Sequence, residues 1–340
     1  MPTTTTSQVS PQVAAQEPPT QDQHGFRDRV RALHERGLSP ILVLAVLVAV
    51  VAAYDSSFLQ PASLTALLDQ AAPLVLLSLA QAMVVITGRI TLANAALASL
   101  LGVVLARTLG AYGQGAVLGV LVTAVVVGAV IGGLHMWTQV PSFIITLGAL
   151  GIFAGLSLWV SNADSIFISD GYAAVEWISL RLYGVPISFL LVLLIAGVLM
   201  AVFALFPIGR AIRAVGLNER AAAYSGVRTG AVVVMAFAIS GLLSGLAAVS
   251  QVAQLQSAGA STSDSLLLPS IAAVILGGTS ISGGVGGVGR TVVGALIVAL
   301  LRVGLDLVGV PSAVQPIVYG VIVIAAIAAT VDRRRGVAAA

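Results

Sequence analysis

The side chains best suited to chemistry in this chain are polar but uncharged, and they lie within long apolar segments. Gln81, Thr87, Thr91 and Asn94 fall in one short stretch of this kind. Amides and hydroxyls can exchange hydrogen bonds with a neutral hydrophilic solute, so we interpret these four residues as candidates for a translocation path. The alternative is that they bond to the backbone of their own helices, as hydroxyl side chains in helices commonly do.

Enzyme chemistry is poorly supported by the sequence. The histidines, His24, His34 and His135, lack partners at metal-ligand spacing, and no serine–histidine–acid set falls at one membrane depth. The absence of cysteine excludes thiol catalysis, and the absence of lysine excludes a phosphate-binding loop of the Walker type. We therefore predict no catalytic residue, no metal site and no cofactor bound by this chain, with all three histidines at the surface or the membrane interface.

The composition predicts an all-α polytopic membrane protein. The chain is 58% hydrophobic and 9% charged, whereas soluble domains average about 25% charged residues. Its net charge of +3 comes from arginines that we place at membrane edges, so we predict contact with membrane lipid and none with nucleic acid.

The apolar runs predict ten membrane-spanning helices, because each run approaches or exceeds the roughly 17 residues that a crossing requires. The third and eighth runs are rich in small residues, and we expect them to be broken or re-entrant. The predicted spans are 39–56, 67–87, 91–109, 114–135, 141–160, 187–206, 229–252, 267–284, 289–308 and 314–331.

Arginine-rich segments before the first span and after the last predict that both termini lie in the cytoplasm. A Gly-x-Gly and Val-Pro-Ser pattern that occurs in both 113–142 and 287–312 predicts an inverted internal repeat. The predicted regions are a disordered tail (1–25), a basic cytoplasmic segment (26–38), a transmembrane domain (39–331) and a cytoplasmic tail (332–340).

A polar segment, residues 207–228, separates two of the predicted spans. It contains four arginines and a single acidic residue, Glu219, and this positive excess predicts a cytoplasmic loop. The centre of the segment, 218–227, is rich in alanine and predicts a short helix. We interpret this helix as a surface for a cytoplasmic partner.

A glycine-rich stretch, 277–289, contains a formal dinucleotide fingerprint, but that fingerprint requires a preceding strand in a soluble βαβ unit. We interpret the stretch as a tight turn in the membrane, where small residues permit close helix approach and hydroxyls satisfy the backbone. Its candidate residues are Gly277, Gly278, Thr279, Ser280, Ser282, Gly283 and Gly284.

Ionisable residues within the predicted spans are few. Asp69, Arg89, Arg107, Arg302 and Asp306 all lie near span ends, where snorkelling to the interface accounts for them. No midplane carboxylate pair is present, which argues against an ion-driven carrier.

Two motifs resemble the membrane permease subunits of bacterial ribose-type ABC importers. Gly216-Leu-Asn218-Glu219-Arg-Ala-Ala222-Ala-Tyr-Ser225-Gly226 is similar to the family's "G-N-x-x-A-A-x-x-S-G" segment, and Ala272-Ala-Val-Ile-Leu-Gly277-Gly278-Thr279-Ser280 begins a match to its "A-x-V-L-G-G-T-S-x-x-G-G" segment. The resemblance extends from about residue 38 to residue 332.

The resemblance implies a permease that pairs in the membrane, binds cytoplasmic ATP-binding subunits and receives its solute from an extracytoplasmic binding protein. It also implies that the polar segment carries a coupling helix. We expect Asn218 to cap this helix, Glu219 to favour its N-terminal dipole, and an alanine face to seat it in a groove. The implied coupling residues are Gly216, Asn218, Glu219, Ala222, Ser225 and Gly226.

One stretch departs from the family pattern. The family carries "T-G-G-I-D-L-S-V-G", where this chain has Thr87-Gly88-Arg89-Ile90-Thr91-Leu92-Ala93-Asn94-Ala95. Either the solute is atypical or this subunit pairs with a different permease, and we favour the second explanation. A homodimer and a heterodimer both stay open.

The main interpretation is thus a multi-pass permease of the cytoplasmic membrane that imports a monosaccharide or polyol. The alternatives are an ion-gradient-driven secondary transporter of a small neutral solute and a non-transporting sensor or scaffold.

Overall fold

The computed structural model describes residues 39–330. The predicted tail (1–25), basic segment (26–38) and C-terminal tail (332–340) lie outside the described residues. Within the described range the chain is mostly α-helical, with two 3₁₀ turns at Ser56–Leu59 and Asp264–Leu266. The α-helices are α1 (Ser39–Tyr54), α2 (Pro61–Ile86), α3 (Asn94–Tyr112), α4 (Gln114–Thr138), α5 (Ser142–Ser161), α6 (Ala173–Ser179), α7 (Ile187–Leu205), α8 (Pro207–Leu217), α9 (Glu219–Tyr224), α10 (Thr229–Leu255), α11 (Leu267–Leu276), α12 (Val288–Leu307) and α13 (Gln315–Thr330).

Two very short antiparallel strand pairs order the loops at one end of the bundle. β1 (Ile166–Phe167) pairs with β4 (Ser257–Ala258), and β2 (Arg181–Leu182) pairs with β3 (Val185–Pro186). The Tyr172 hydroxyl also donates to the carbonyl oxygen of Ala253 at 2.8 Å. The long connection between α5 and α7 is therefore tied to the C-terminal end of α10.

Seven of the described helices are long and apolar enough to cross a membrane: α2, α3, α4, α5, α7, α10 and α12. Three shorter apolar helices, at Pro40–Tyr54, Asp264–Leu276 and Gln315–Ala325, lie where the first, eighth and last spans were expected. The structure thus shows a multi-pass helical membrane protein, and the count of ten crossings stays a prediction. The inverted repeat also stays a prediction.

The two spans that we expected to be irregular behave differently. The third forms an uninterrupted helix of 19 residues, α3, so the expectation of a break there was wrong. Its alanines are good helix formers, and its small residues face the protein interior. The eighth is broken as expected, because α11 ends at Leu276 and the glycine-rich stretch follows it without helical structure.

The core of the bundle is built around α2. Every residue from Ala71 to Ile86 is buried, and a helix that is apolar on all sides is typical of a buried position. It packs against α10, α12, α11 and α7. This central placement fixes the position of the residues that follow α2, from Thr87 onward.

Small residues bring α4 and α10 into close contact. Gly128 and Gly132 on α4 face Phe237 and Gly241 on α10, and a Cβ atom added at Gly132 would lie 2.9 Å from the Phe237 Cβ. Each helix carries a Gly-x-x-x-Gly pair, Gly128 with Gly132 on α4 and Gly241 with Gly245 on α10. Such pairs let helix backbones approach in membranes. This packing places the C-terminal end of α4 beside the start of α10.

The outer helices bury only one side. Leu118, Val122, Val126 and Val130 on α4 are 54–65% exposed, and they follow each other at a spacing of four residues, so they line one face. Similar apolar faces occur on α5 and α7. These faces are suited to contact with lipid.

Replacement of two glycines on α4 by alanine is predicted to have different outcomes. Gly128→Ala would force its Cβ against the Phe237 carbonyl oxygen, whereas Gly133→Ala points into open space. We expect Gly128→Ala to lower stability by about 1–3 kcal/mol and Gly133→Ala to leave it unchanged or raised, since alanine favours helix by roughly 1 kcal/mol over glycine. Thermal unfolding in detergent measures both, and equal losses would contradict the proposed α4–α10 contact.

Candidate functional site

Three backbone segments that are distant in sequence meet at one point, which we call the glycine junction: the end of α2, the end of α8 and the glycine-rich stretch. The Gly284 amide donates to the carbonyl oxygen of Ile86 at 2.9 Å. A Cβ at Gly216 would overlap both of these groups, and one at Gly283 would lie 2.5 Å from the Gly88 nitrogen. Only glycine lets the three backbones approach so closely.

The junction unites residues of three motifs that are separate in the sequence. Gly216 belongs to the predicted coupling segment, Gly283 and Gly284 to the predicted turn, and Gly88 to the stretch that departs from the family pattern. The prediction that the glycine-rich stretch is a tight turn permitting close approach is therefore confirmed. Its close neighbours include the ends of α2 and α8, and Gly277 also lies against the Arg290 backbone of α12.

The hydroxyls of the turn do not hold it together as expected. Backbone bonds close it, from the Thr279 amide to the Val274 carbonyl oxygen at 3.1 Å and from the Ser280 amide to the Val285 carbonyl oxygen at 2.9 Å. The Thr279 hydroxyl is buried and has no partner among the described residues. The expectation that hydroxyls of Thr279, Ser280 and Ser282 satisfy the backbone was thus wrong, because the glycines fold back far enough for amides to do so.

Arg89 lies directly after the junction and bonds to three different elements. Its Nη2 atom lies 2.9 Å from Oε2 of Glu219, the first residue of α9. Its Nε donates to Nε2 of His135 on α4 at 2.7 Å, and its Nη1 donates to the Thr87 carbonyl oxygen at 2.9 Å. The side chain is only 11% exposed. The expectation that Arg89 snorkels to the interface was therefore wrong, since its charge is paired inside the protein.

His135 completes this cluster in a defined tautomer. Its Nδ1 lies 2.8 Å from the Val140 carbonyl oxygen, which can only accept, and its Nε2 faces the Arg89 guanidinium, which can only donate. The ring therefore carries its proton on Nδ1 and is neutral. It is half-buried rather than a surface side chain, because the α4–α10 contact draws this end of α4 inward.

Both ends of α9 are defined by local signals. The Asn218 Oδ1 accepts from the Ala221 amide at 3.0 Å, so the predicted cap is confirmed. At the other end Gly226 has φ +83°, and the Val227 amide reaches back to the Ala222 carbonyl oxygen at 3.1 Å. This is the Schellman arrangement that ends helices at a left-handed glycine.

The faces of α9 point in different directions. Ala222 is only 5% exposed, whereas Tyr224 is 93% exposed. Arg220 and Ser225 are also exposed, and the Ser225 hydroxyl bonds back to the Ala221 carbonyl oxygen at 3.0 Å. Of the alanines of α9, Ala222 packs against this chain itself, whereas Ala221 and Ala223 are exposed beside Arg220 and Tyr224. The seating of an alanine face in a partner's groove stays a prediction, and sequence reasoning missed Tyr224.

The residues between α2 and α3, 87–93, form a non-helical segment held by the side chains of α5. The Ile90 amide donates to the Ser142 hydroxyl and the Leu92 amide to the Thr146 hydroxyl, each at 3.2 Å. Both hydroxyls are buried. Backbone groups at membrane depth must find such partners, and these bonds fix the course of the segment.

The four candidate path residues separate into two pairs. The Gln81 Oε1 accepts from the side-chain Nδ2 of Asn94 at 3.4 Å, and the Asn94 Oδ1 accepts from the Ser240 hydroxyl at 3.1 Å. Thr87 and Thr91 instead bond to local backbone, at Val84 O and Ala93 N. These two threonines therefore fit the alternative interpretation, in which the hydroxyl bonds to nearby backbone rather than to a solute.

The Gln81–Asn94–Ser240 cluster is fully enclosed in this conformation. Each of its residues is at most 5% exposed, and the Gln81 Nε2 has no partner among the described residues. An unpartnered buried amide is costly and marks a place suited to a polar ligand. Ser240, which lies on α10, is joined to this site only by the packing of the helices.

Two clefts flank α8 and α9. One, of about 530 Å³, is lined by the Arg89 cluster and the start of α9, including Gln139 and Arg220. The other, of about 570 Å³, lies between α7, α8 and the glycine-rich stretch. Neither cleft is lined by Gln81 or Asn94, so the buried amides are not reached through these two openings.

Two other ionisable residues also have partners. Asp69 lies within α2, where its Oδ2 is 3.7 Å from Arg181 and its Oδ1 accepts from Ser188 at 3.4 Å. The Asp306 Oδ1 accepts from the side-chain Nε2 of Gln315 at 2.7 Å. Snorkelling is therefore not the whole account of these residues, since each also ties a helix to a neighbouring segment.

Residues 63–327 match the family described as "Branched-chain amino acid transport system / permease component". The chain belongs to this family. It is 34% identical to the ribose import permease protein of Bacillus subtilis, over 88% of this chain and 93% of that one. It is 31% identical to the D-allose transport system permease protein of Escherichia coli K12, over 84% and 89%. No solved structure matches the chain.

The family and these relatives support the interpretation of an ABC importer permease over that of an ion-gradient carrier. A third relative, the autoinducer 2 import system permease protein of Photorhabdus laumondii, is 27% identical over 86% of this chain and 88% of its own length. The matched range, 63–327, includes the junction, the Arg89 cluster and α9.

The glycine junction predicts a specific sensitivity to an added methyl group. Gly216→Ala would press a Cβ against the Ile86 carbonyl and the Gly284 amide, neither of which can give way. We expect a loss of about 1–3 kcal/mol, measured as a lower thermal unfolding midpoint in detergent. The matched control is Gly230→Ala, whose Cβ would meet only a methionine methyl at 3.7 Å. An unchanged midpoint in Gly216→Ala would refute the close approach.

Proposed function

We propose that this chain is the membrane-spanning permease subunit of an ABC importer for a monosaccharide or related polyol. The observation that carries the proposal is the match to the ribose import permease over nearly the full length of both chains. The D-allose permease, a second sugar transporter by name, is similar over most of its length too. The family description names branched-chain amino acids, so leucine is the solute to test against the sugars.

The energy for transport comes from a separate subunit in this proposal. We infer that ATP-binding subunits contact the exposed face of α9, where Arg220 and Tyr224 project from the chain. A short helix that is capped at both ends, by Asn218 and Gly226, presents these side chains in a defined geometry. The glycine junction holds the end of α8, which directly precedes this helix, against α2, so in this proposal a push on α9 acts on the core through α8.

The solute passes, in this proposal, by way of the buried amide cluster of Gln81 and Asn94. The unpartnered Gln81 Nε2 and the carboxamide oxygens offer the donors and acceptors that sugar hydroxyls require. The cluster is enclosed in this conformation, so in this proposal the solute reaches it only after the helices around it move apart. Thr87 and Thr91 serve the local backbone and are left out of the path.

The arrangement in the membrane follows from the distribution of charge. The arginines of the polar segment at 207–228 favour the cytoplasm for α8 and α9, and both termini are proposed to lie on the same side. The partly ordered connection between α5 and α7 then faces outward, where a solute-binding protein would deliver the sugar. A second permease subunit, identical or different, completes the transporter.

The proposal is tested by reconstitution in liposomes with the ATP-binding subunit and the solute-binding protein. We expect ATP-dependent uptake of radiolabelled ribose or D-allose that persists when an ionophore collapses ion gradients. Uptake of leucine in preference to both sugars would overturn the solute class. Uptake that needs no ATP but disappears with the ionophore would overturn the transport mechanism.

Reversal of one charge on α9 tests the contact with the ATP-binding subunit. Arg220→Glu changes an exposed side chain on α9, and we expect it to weaken co-purification of the ATP-binding subunit and to slow uptake about tenfold, the effect of roughly 1.4 kcal/mol at an interface. Arg107→Glu is the control, because Arg107 is also exposed but lies on α3. Equal behaviour of the two variants would remove α9 as the contact.

A further inference from the structure

Arg89 connects parts of the molecule that the proposed function needs to move together. Its guanidinium joins the first residue of α9, the end of α4 and the turn that follows α2. We call Arg89, Glu219 and His135 the Arg89 bridge. The residues of the bridge are separated by 46 and 130 positions in sequence from Arg89, so the bridge is a tertiary contact rather than a local one.

The bridge uses the particular geometry of a guanidinium. Nε, Nη1 and Nη2 each donate to a different acceptor, on His135, Thr87 and Glu219. A lysine ammonium has one nitrogen and cannot reach three acceptors arranged around a planar fork. The Arg89 side chain is 11% exposed while that of Glu219 is 40% exposed, so water screens this pair less than it screens a pair on the open surface.

Each partner of Arg89 is itself held in place. Glu219 begins a helix whose N-terminus is capped by Asn218, and His135 is oriented by the carbonyl oxygen of Val140. Of the charged groups that line the adjoining cleft, Arg220 is the remaining one, and its side chain is exposed. Each acceptor is therefore held by its own element, so a movement of α9 carries Glu219 with it.

On the other side, Arg89 is part of the non-helical segment that leads to the buried amides. The hydroxyls of Ser142 and Thr146 hold this segment at Ile90 and Leu92, and α3 then begins with Asn94. Asn94 is the residue that contacts both Gln81 and Ser240. Only four residues, 90–93, separate Arg89 from Asn94, so a displacement of Arg89 reaches the amide cluster along this short segment.

We propose that Arg89 is a positioning residue that transmits movement of α9 to the 87–93 segment and so to the amide cluster. This inference rests on the proposed function, because it takes α9 as the contact with the ATP-binding subunit. Arg89 touches neither solute nor nucleotide in this scheme. It determines how much solute moves for each ATP that is hydrolysed.

The first experiment measures the bridge in the purified chain, without any partner or solute. Hydrogen–deuterium exchange is followed in the peptides that contain Ile90 and Leu92 and in the peptide that contains α9, for Arg89→Gln, Glu219→Gln and Arg107→Gln. We expect Glu219→Gln to speed exchange at 90–92 several-fold although it lies on α9, and Arg89→Gln to speed exchange in both places. Arg107→Gln should change exchange in neither place, because Arg107 lies about 20 Å along α3 from Asn94 at the rise per residue of an α-helix.

The second experiment is a double-mutant cycle in the reconstituted transporter. Uptake per ATP hydrolysed is compared for wild type, Arg89→Gln, Glu219→Gln and the double variant, with ribose or D-allose as probe, whichever the wild type transports. We expect each single variant to lower this ratio about tenfold and the double variant to fall no further, since groups that act as one unit are not additive. Arg89→Lys should lower uptake per ATP hydrolysed as much as Arg89→Gln does. The KM for solute should stay unchanged in all of these variants.

The possible outcomes separate this inference from the proposed function. If Arg89→Gln takes up as much solute per ATP hydrolysed as the wild type, the role of the bridge is overturned and the proposed function is untouched. The same holds if Glu219→Gln leaves exchange at 90–92 unchanged. Loss of the ATP-binding subunit from purified Arg89→Gln also overturns it, because the bridge would then serve assembly only. A wild-type chain that transports none of the solutes with ATP overturns the proposed function, while the exchange experiment still decides whether the bridge exists.

Discussion

The structure depends on one steric constraint, the absence of side chains where the end of α2, the end of α8 and the glycine-rich stretch meet. A single Cβ at Gly216 would overlap the Ile86 carbonyl oxygen and the Gly284 amide. Because the three backbones touch directly, the end of α8, which directly precedes the Asn218 cap of α9, is packed against the end of the most buried helix. α9 itself buries only Ala222, and the junction joins it to the core through α8.

The departure from the family pattern at 87–95 acquires a different meaning from this geometry. From the residues alone, the departure indicates an atypical solute or a different permease partner. Arg89 instead pairs with Glu219 inside the same chain, and Thr91 serves its own turn. The stretch therefore belongs as much to the α9 side of the molecule as to the candidate solute path, and neither earlier explanation is required by it.

Much of the fold and part of the site could be predicted from the sequence. Seven membrane helices, the break after Leu276, the cap at Asn218 and the end of α9 at Gly226 all follow from signals within a few residues. A pair of Gly-x-x-x-Gly motifs in the sequence also indicates the α4–α10 contact. The continuity of α3 was misjudged, because small residues indicate a break as readily as they indicate close packing.

The sequence by itself determined which segments are apolar helices and where α9 begins and ends, because those outcomes depend on hydropathy and on backbone bonds between near neighbours. Only the tertiary structure decided that Arg89 meets Glu219 and His135, and that Asn94 meets Ser240. These partners lie 46 to 146 residues apart. A guanidinium or an amide accepts any suitably placed partner, so the choice was made by the packing of the helices that carry them.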